Sequence, residues 1–514
     1  MPKAKKAVTT RTRNLNANTK HAPAESRTKS RTRTTTKRRA ASPLPLNPIP
    51  GPSRATEKQV LLVHGAFDAG QLGLGDDQEK EVMRPRVHPA VLQQVTDGSL
   101  GPIGVESVAA GGMHSLFLDS NGKIWSFGSN DSLALGRLTK PPQGTPDNLP
   151  ALVSGLEDFR ATAIAASDNL SVAISSTGEL RAWGTFNSSD GLLGFMGHKD
   201  KQLTPTPLAA FSKEKPISRV VCGEDHALAL TTDGRVFAWG NGASFQLGRR
   251  ILERRKINGL TPEALPKLRR IVNVFAGVHT SFAVDEEGRV FGWGLNQMRQ
   301  TGVESEETLV KAPTEIDALS PEEHAEARVV GIAGGEHHTC FLFDDGSVWG
   351  CGRTGADRLG LAADHPSVLA HNAEVAEALA QANEEGWAED DPRRAALPKK
   401  DDFLVYPPLR IAFPPPPTST TPEPPLAPYA EGVFSDTRIT HISAGERYTL
   451  AVSEEGYLYS WGEGNASQLG LGNVSNARTP TRVANTALKA HEMVGASAGG
   501  QHVLLVGAKR EEPL

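Results

Sequence analysis

CGEDHALALTTDGRVFAWGNGASFQLG, residues 222–248, decides the fold. The stretch opens on a Cys–Gly–Glu–Asp–His turn and runs through small and aliphatic residues to a Thr–Thr–Asp–Gly turn. It then rises through Val236, Phe237 and Trp239 to Gly240, and closes on Gln246–Leu247–Gly248. Short runs rich in Val, Phe, Trp and Ala between glycine-marked turns are β-strands. The same grammar recurs along the chain. The opening element returns as AGGMHSLFL (110–118), ASDNLSVAI (166–174), AGVHTSFAV (276–284), GGEHHTCFL (334–342), AGERYTLAV (444–452) and AGGQHVLLV (498–506). Its fifth positions are His114, Leu170, His226, Thr280, His338, Tyr448 and His502, spaced by 56, 56, 54, 58, 110 and 54 residues. The aromatic element returns as GKIWSFG (122–128), GELRAWG (178–184), GRVFGWG (288–294), GSVWGCG (346–352) and GYLYSWG (456–462).

Four short strands in each repeat make a propeller blade. Trp–Asp repeats run about 40–45 residues and kelch repeats about 50; here Trp is followed by Gly, and a Gly–Gly pair stands in only three of the seven copies. The ends fix the blade count. VLLVHGAFDAGQLGLG (60–75) is an aromatic-type copy without its opening element, and AGGQHVLLV is an opening element without its aromatic partner. The predicted fold is therefore all-β, a seven-bladed propeller over 55–510 whose last blade is closed by the N-terminal strand. Closure of this kind removes the two exposed sheet edges that an open array would leave.

The pairing of Ala–Gly–Gly–x–His with Trp–Gly and Gln–Leu–Gly, repeated in register, resembles the regulator of chromosome condensation family over roughly 60–362 and 436–507. The resemblance implies a nuclear, chromatin-bound guanine nucleotide exchange factor for a Ran-like small GTPase. Such a protein releases GDP by favouring the nucleotide-free GTPase and breaks no covalent bond. The rival expectation is a propeller scaffold or adaptor without exchange activity.

Repeats also show where the chain departs from its own pattern. Asp168 replaces a small residue in its copy, and Asp225 and His337 stand just before the fifth position. These turns lie at one rim, where neighbouring loops form a shared face. Asp68, in the closing blade's turn, is expected to join them. The resemblance implies GTPase contact by Asp225, His337, Asp168, Asp68, His114 and His502. It also implies a protruding wedge at 185–200, carrying Leu192, Leu193, Phe195 and Met196. An apolar loop left exposed would suit a partner surface. Arg249, Arg250, Arg254 and Arg255, in RRILERRK (249–256), resemble the family's histone-contacting loop. Arg suits bidentate contact with carboxylates.

Charge divides the chain. Residues 1–54 hold fourteen Lys and Arg against a single acid, Glu25, whereas the whole chain carries a net −4. The body is therefore strongly acidic. The arm has too little apolar surface to fold alone, and Lys37, Arg38 and Arg39 within it read as nuclear-import or nucleic-acid contacts. DNA and the nucleosome are its expected partners, through salt-sensitive phosphate contacts. An insertion at 363–435 pairs an Ala/Glu-rich helical stretch with PPPP (414–417) and PEPP (422–425). No phosphate-cradling loop, zinc-binding His–Glu–x–x–His or paired-carboxylate pattern is present. Histidines on separate blades sit too far apart to share an ion at about 2 Å. The expectation is no cofactor, no metal, no membrane span and no covalent catalysis. Cys222, Cys340 and Cys351 are not spaced as a disulfide framework.

Overall fold

The computed structural model describes residues 45–51, 55–76, 81–140, 142, 144–197, 199–415 and 437–510. Seven four-stranded antiparallel sheets surround a central axis. The innermost strands of successive blades touch one another around the ring, and the last touches the first. Blade 3 shows the pattern. Its strands Ile217–Cys222, His226–Thr231, Val236–Gly240 and Glu263–Ala264 run outward from the axis in chain order. Blade 7 closes the ring with both chain ends. Its innermost strand, His491–Ala498, pairs with His502–Lys509, which pairs in turn with Gln59–Ala66, and Glu81–Val87 lies outermost. The N-terminal region thus supplies two strands of that blade.

The repeated side chains join one blade to the next. His114 Nε2 lies 2.8 Å from Ser171 Oγ on the following blade, and Ser171 donates its only hydroxyl hydrogen to the Ala134 carbonyl. His114 Nε2 therefore carries the hydrogen of that first bond. The same relay links His226 to Ser281 and His502 to Ser115, whose hydroxyls donate to Gln246 O and Gln71 O, and His338 Nε2 lies 2.9 Å from Thr449 Oγ1. Trp183, Trp293 and Trp461 bind carbonyls of the preceding blade's closing turn through Nε1. Burial removes these polar groups from water, so each needs a partner, and the repeat supplies one from its neighbour. Burial also depresses the histidines, to about 4 for His114 and about 3 for His226, His338 and His502.

Antiparallel order sets the faces. The turn between a blade's first and second strands and the connection between its third and fourth leave at one end, here called the ring face. Second-to-third turns and the links between blades leave at the other.

Two expected boundaries move. The arm assigned to 1–54 is too long, because residues 45–51 pack on the face opposite the ring face. Asn47 is buried there, its backbone N–H bonding Thr232 O and its amide bonding Thr231 O and Ile271 O. Lys37, Arg38 and Arg39 lie outside the described residues. The insertion assigned to 363–435 contains the outer strand of blade 5, Leu404–Arg410. Alternation in LVYPPLR is hidden by two prolines, which an outermost strand tolerates. Ahead of that strand, a helix at Pro366–Glu384 buries Val368, Val375 and Ala382. Bidentate Arg353–Asp402 and Arg478–Asp401 pairs fasten this excursion to blades 5 and 6. The PEPP run lies outside the described residues. Among them, no helix is long and apolar enough to cross a membrane.

Candidate functional site: the ring face

The first-to-second turns gather at the mouth of the axial channel. The third position of these turns holds Asp168, Glu224, Glu336 and Glu446 in blades 2, 3, 5 and 6, against Gly112, Val278 and Gly500 elsewhere. Only Asp168 is singled out by sequence reasoning; Glu224, Glu336 and Glu446 escaped it. The signal that would have found them is the same column of the repeat, in which acids outnumber other residues.

Crowding shows in proton affinities. Asp168 is pushed up to about 8, by desolvation first and then by the charges of Glu224, Asp225 and Glu446. Asp225 is pushed up to about 6 by desolvation, opposed by its hydrogen bond from Asn187. Glu224 and Glu446 are raised by burial and by neighbouring acids. Like charges enclosed together resist joint ionisation.

Cations are placed unevenly around this ring. Glu224 Oε2 lies 3.3 Å from His279 Nε2, and Glu336 Oε2 lies 3.5 Å from His337 Nδ1 and 3.4 Å from Arg447 Nε. Arg447 also reaches Glu463 at 3.5 Å. Burial lowers His337, and Arg358, Arg353 and Arg447 add to the effect against the pull of Glu336. Asp168 and Asp225 have no ion-pair partner among the described residues. Acids whose ionisation burial holds back, with no cation to relieve it, therefore stand on blades 2 and 3, and a basic partner surface would draw out their charge.

That is the side from which a hairpin projects. Phe186–Ser188 and Gly191–Gly194 pair as a two-stranded ribbon between the third and fourth strands of blade 2. Its root is pinned by the Asn187 N–H donating to Asp225 Oδ1 at 2.8 Å. The tip carries Asp190, which meets Lys256 Nζ at 2.7 Å. Gly191 has a φ of +100° with open space around it, a backbone that L side chains rarely adopt.

Several expected site residues sit differently. His114 and His502 are buried and bound across blade seams, so the contact role expected of them fails on access; they hold the face together from below. Leu193 and Phe195 are also buried, in a cluster with Phe186 and Leu260, and Met196 packs against it half-buried. Apolar side chains gain by leaving water, so they fold back into the blade. Of the expected wedge residues only Leu192, 46% exposed, remains as an apolar tip. Asp68 is exposed in the turn after the third strand of blade 7, on the ring face. Arg249 turns inward to Thr261 O and Glu263, leaving Arg250, Arg254 and Arg255 exposed. This basic loop is the third-to-fourth connection of blade 3, so it lies on the ring face beside the hairpin. Among the described residues no group of three His, Cys, Asp or Glu could hold a metal ion.

Seven closed blades, seam-spanning histidines and one acid-lined face define a propeller of the RCC1 repeat class. The RCC1-like domain description matches residues 60–505, and the chain belongs to that family. It is 34% identical to Protein pim1 of Schizosaccharomyces pombe, covering 90% of this chain and 77% of that one. With guanine nucleotide exchange factor SRM1 of Saccharomyces cerevisiae it shares 31% identity, covering 85% of each. A crystal structure of Prp20p from Saccharomyces cerevisiae, reported with its binding properties to Gsp1p and histones, superposes with a TM-score of 0.70 at 30% identity, covering 89% of this chain and 93% of that one. A structure of Kap60 bound to yeast RCC1 (Prp20) gives 0.72 at 28% identity, covering 94% and 97%.

Proposed function

We propose that this protein is a guanine nucleotide exchange factor for a Ran-like small GTPase, acting in the nucleus while held on chromatin. The observation that carries the reading is the union, on one face, of unpaired acids at Asp168 and Asp225 with a hairpin rooted on Asp225. Family membership and the exchange-factor relative support the same assignment.

The chemistry is differential binding. A GTPase surface whose bound phosphates and magnesium have departed is left with unneutralised basic groups. An acidic face compensates such a surface better when the nucleotide is absent than when it is present. By linkage, a face that prefers the empty form weakens nucleotide binding by the same factor. Leu192 and the Ser188–Gly191 turn form the part that presses into the partner, and Asp225 sets its direction. His337, between Glu336 and the arginines of blades 5 and 6, supplies the adaptable edge of the same surface. GTP then enters by mass action, with no covalent step.

Chromatin attachment is assigned to the basic arm, with Arg250, Arg254 and Arg255 as a further acid-seeking patch. Residues 45–51 lie on the face opposite the ring face. The test is release of fluorescent GDP across a panel of small GTPases. Acceleration confined to a Ran-like member, and lost in Asp225→Ala and His337→Ala, supports the reading. No acceleration of any member would leave a scaffold.

A further inference from the structure

Departures within the repeat mark more than the ring face. Blade 3's innermost strand resumes pairing after its bulge at Arg219, opposite Leu230. At the same register the other blades place Ser107, Ala163, Asn273, Gly331, His441 and Gly495. Four of these six are Ser, Ala or Gly, so blade architecture needs no long side chain here, and Arg219 is not required to build it.

Arg219 and His441 both line the axial chamber, a cavity of about 590 Å³. Its walls are otherwise mainly aliphatic, with Phe275 beneath the guanidinium at 5.1 Å. Arg219 has neither an ion pair nor a hydrogen bond among the described residues. Its side chain is wetted by the chamber yet surrounded by protein, and desolvation lowers its pKa. Arg219 is exposed to the chamber, so its guanidinium, stacked over Phe275, is open to an incoming anion. His441 Nε2 lies 2.7 Å from the Ala496 carbonyl, which needs a hydrogen on Nε2, so the neutral ring keeps Nδ1 as an acceptor. Desolvation holds His441 below its ordinary pKa, and Arg219's charge adds to the effect.

The chamber is polarised. Towards the ring face it narrows to a space of about 100 Å³ bounded by Asp168, Glu224 and Glu446, whose charge repels anions. Pro48 and Pro50, beside the anchored Asn47, line the chamber too. An anion would therefore enter past this strap.

We propose that the axial chamber is a binding site for a phosphate group, free or as a small monoester, held by the Arg219 guanidinium, with His441 on the wall of the same chamber. Arg pairs with phosphate oxygens through two parallel N–H donors. Phosphate is favoured over sulfate because inorganic phosphate at neutral pH, and a monoester near its second pKa of about 6, retain a P–OH for a histidine acceptor, whereas sulfate has no hydrogen to give.

The test is titration of the full chain with inorganic phosphate, sulfate and phenyl phosphate, followed by calorimetry and ³¹P line width, with chloride holding ionic strength constant. Arg219→Met removes the cation. Ala163→Met keeps the cation but fills the chamber wall, which covers the case in which the first variant fails to fold. Both variants retain the basic arm, so phosphate bound there cancels. Saturable phosphate binding, weaker by tenfold or more in each folded variant and weaker for sulfate in the parent, is the expected result. Phenyl phosphate binding at least as well as phosphate at about pH 6, where the monoester still carries a P–OH, would identify a monoester as the ligand. Absence of saturable binding in the parent, or equal affinity in Arg219→Met, would overturn the proposal.

Discussion

Replacing Asp168 by asparagine should make the protein more stable and a poorer exchange factor. Asp168 ionises with a pKa of about 8 in the folded chain against an ordinary 3.8, because burial and three neighbouring acids penalise its charge. A raised carboxyl pKa means that the unfolded chain gives up its proton first. Stability is then full below pH 3.8 and falls as pH rises, until the folded carboxyl also ionises near 8. Each unit of that window is worth at most ~1.4 kcal/mol, and water in the channel mouth will reduce it. An asparagine side chain at this position would have the same shape and no charge. The Asp168→Asn protein should therefore match the parent near pH 4 and gain on it steadily to pH 8, by several kcal/mol in total. Urea unfolding at pH 4, 6 and 8 measures this directly. Nucleotide release at pH 7 reports the functional loss in parallel. A constant stability difference across the three pH values, or a variant less stable at pH 8, would refute the view that this carboxylate is held at a cost for binding.

Other consequences follow from the same geometry. Asp225→Ala removes the acceptor for the Asn187 N–H and should slow exchange by about 10²-fold, a loss of ~3 kcal/mol of transition-state binding, with little change in melting temperature. Wild-type nucleotide release by this variant would show that the hairpin root is not part of the site. His502→Ala breaks a buried seam between blades 7 and 1 and should cost ~1–3 kcal/mol of stability, while activity per folded molecule is retained; a selective loss of exchange with normal unfolding would return His502 to the contact surface. Removing residues 1–44 should flatten the salt dependence of DNA binding and spare exchange on free GTPase. Removing 1–51 should in addition destabilise the fold, because it takes away the Asn47 bonds, and equal melting of the two truncations would contradict that anchoring role.

The propeller was readable because its period is written by residues that perform the same job in each blade. His114, His226, His338 and His502 all reach a hydroxyl on the next blade, so they recur in register. The resemblance places His114 and His502 on the contact surface, whereas their recurrence in register is that of groups joining one blade to the next, as their burial and seam bonds show. Asp225 stood out because it departs from the pattern, and the pattern is what sequence displays best. Glu336 and Glu446 were harder to find, because four acids in one column look like a repeat habit and not a site. The apolar residues of the wedge divide for another reason. Short apolar runs have the same composition whether they face solvent or fold back, and Leu193 and Phe195 fold back while Leu192 does not. The strand at Leu404–Arg410 was concealed inside a proline-rich excursion that composition alone assigns to a loop.

The decisive measurement compares the affinity of the full chain for nucleotide-free and GDP-loaded Ran under one set of salt and pH conditions. The acidic face and its anchored hairpin should grip the empty GTPase at least a hundredfold more tightly, a difference of ~2.7 kcal/mol. Equal affinity for the two forms would contradict exchange as the purpose of this face.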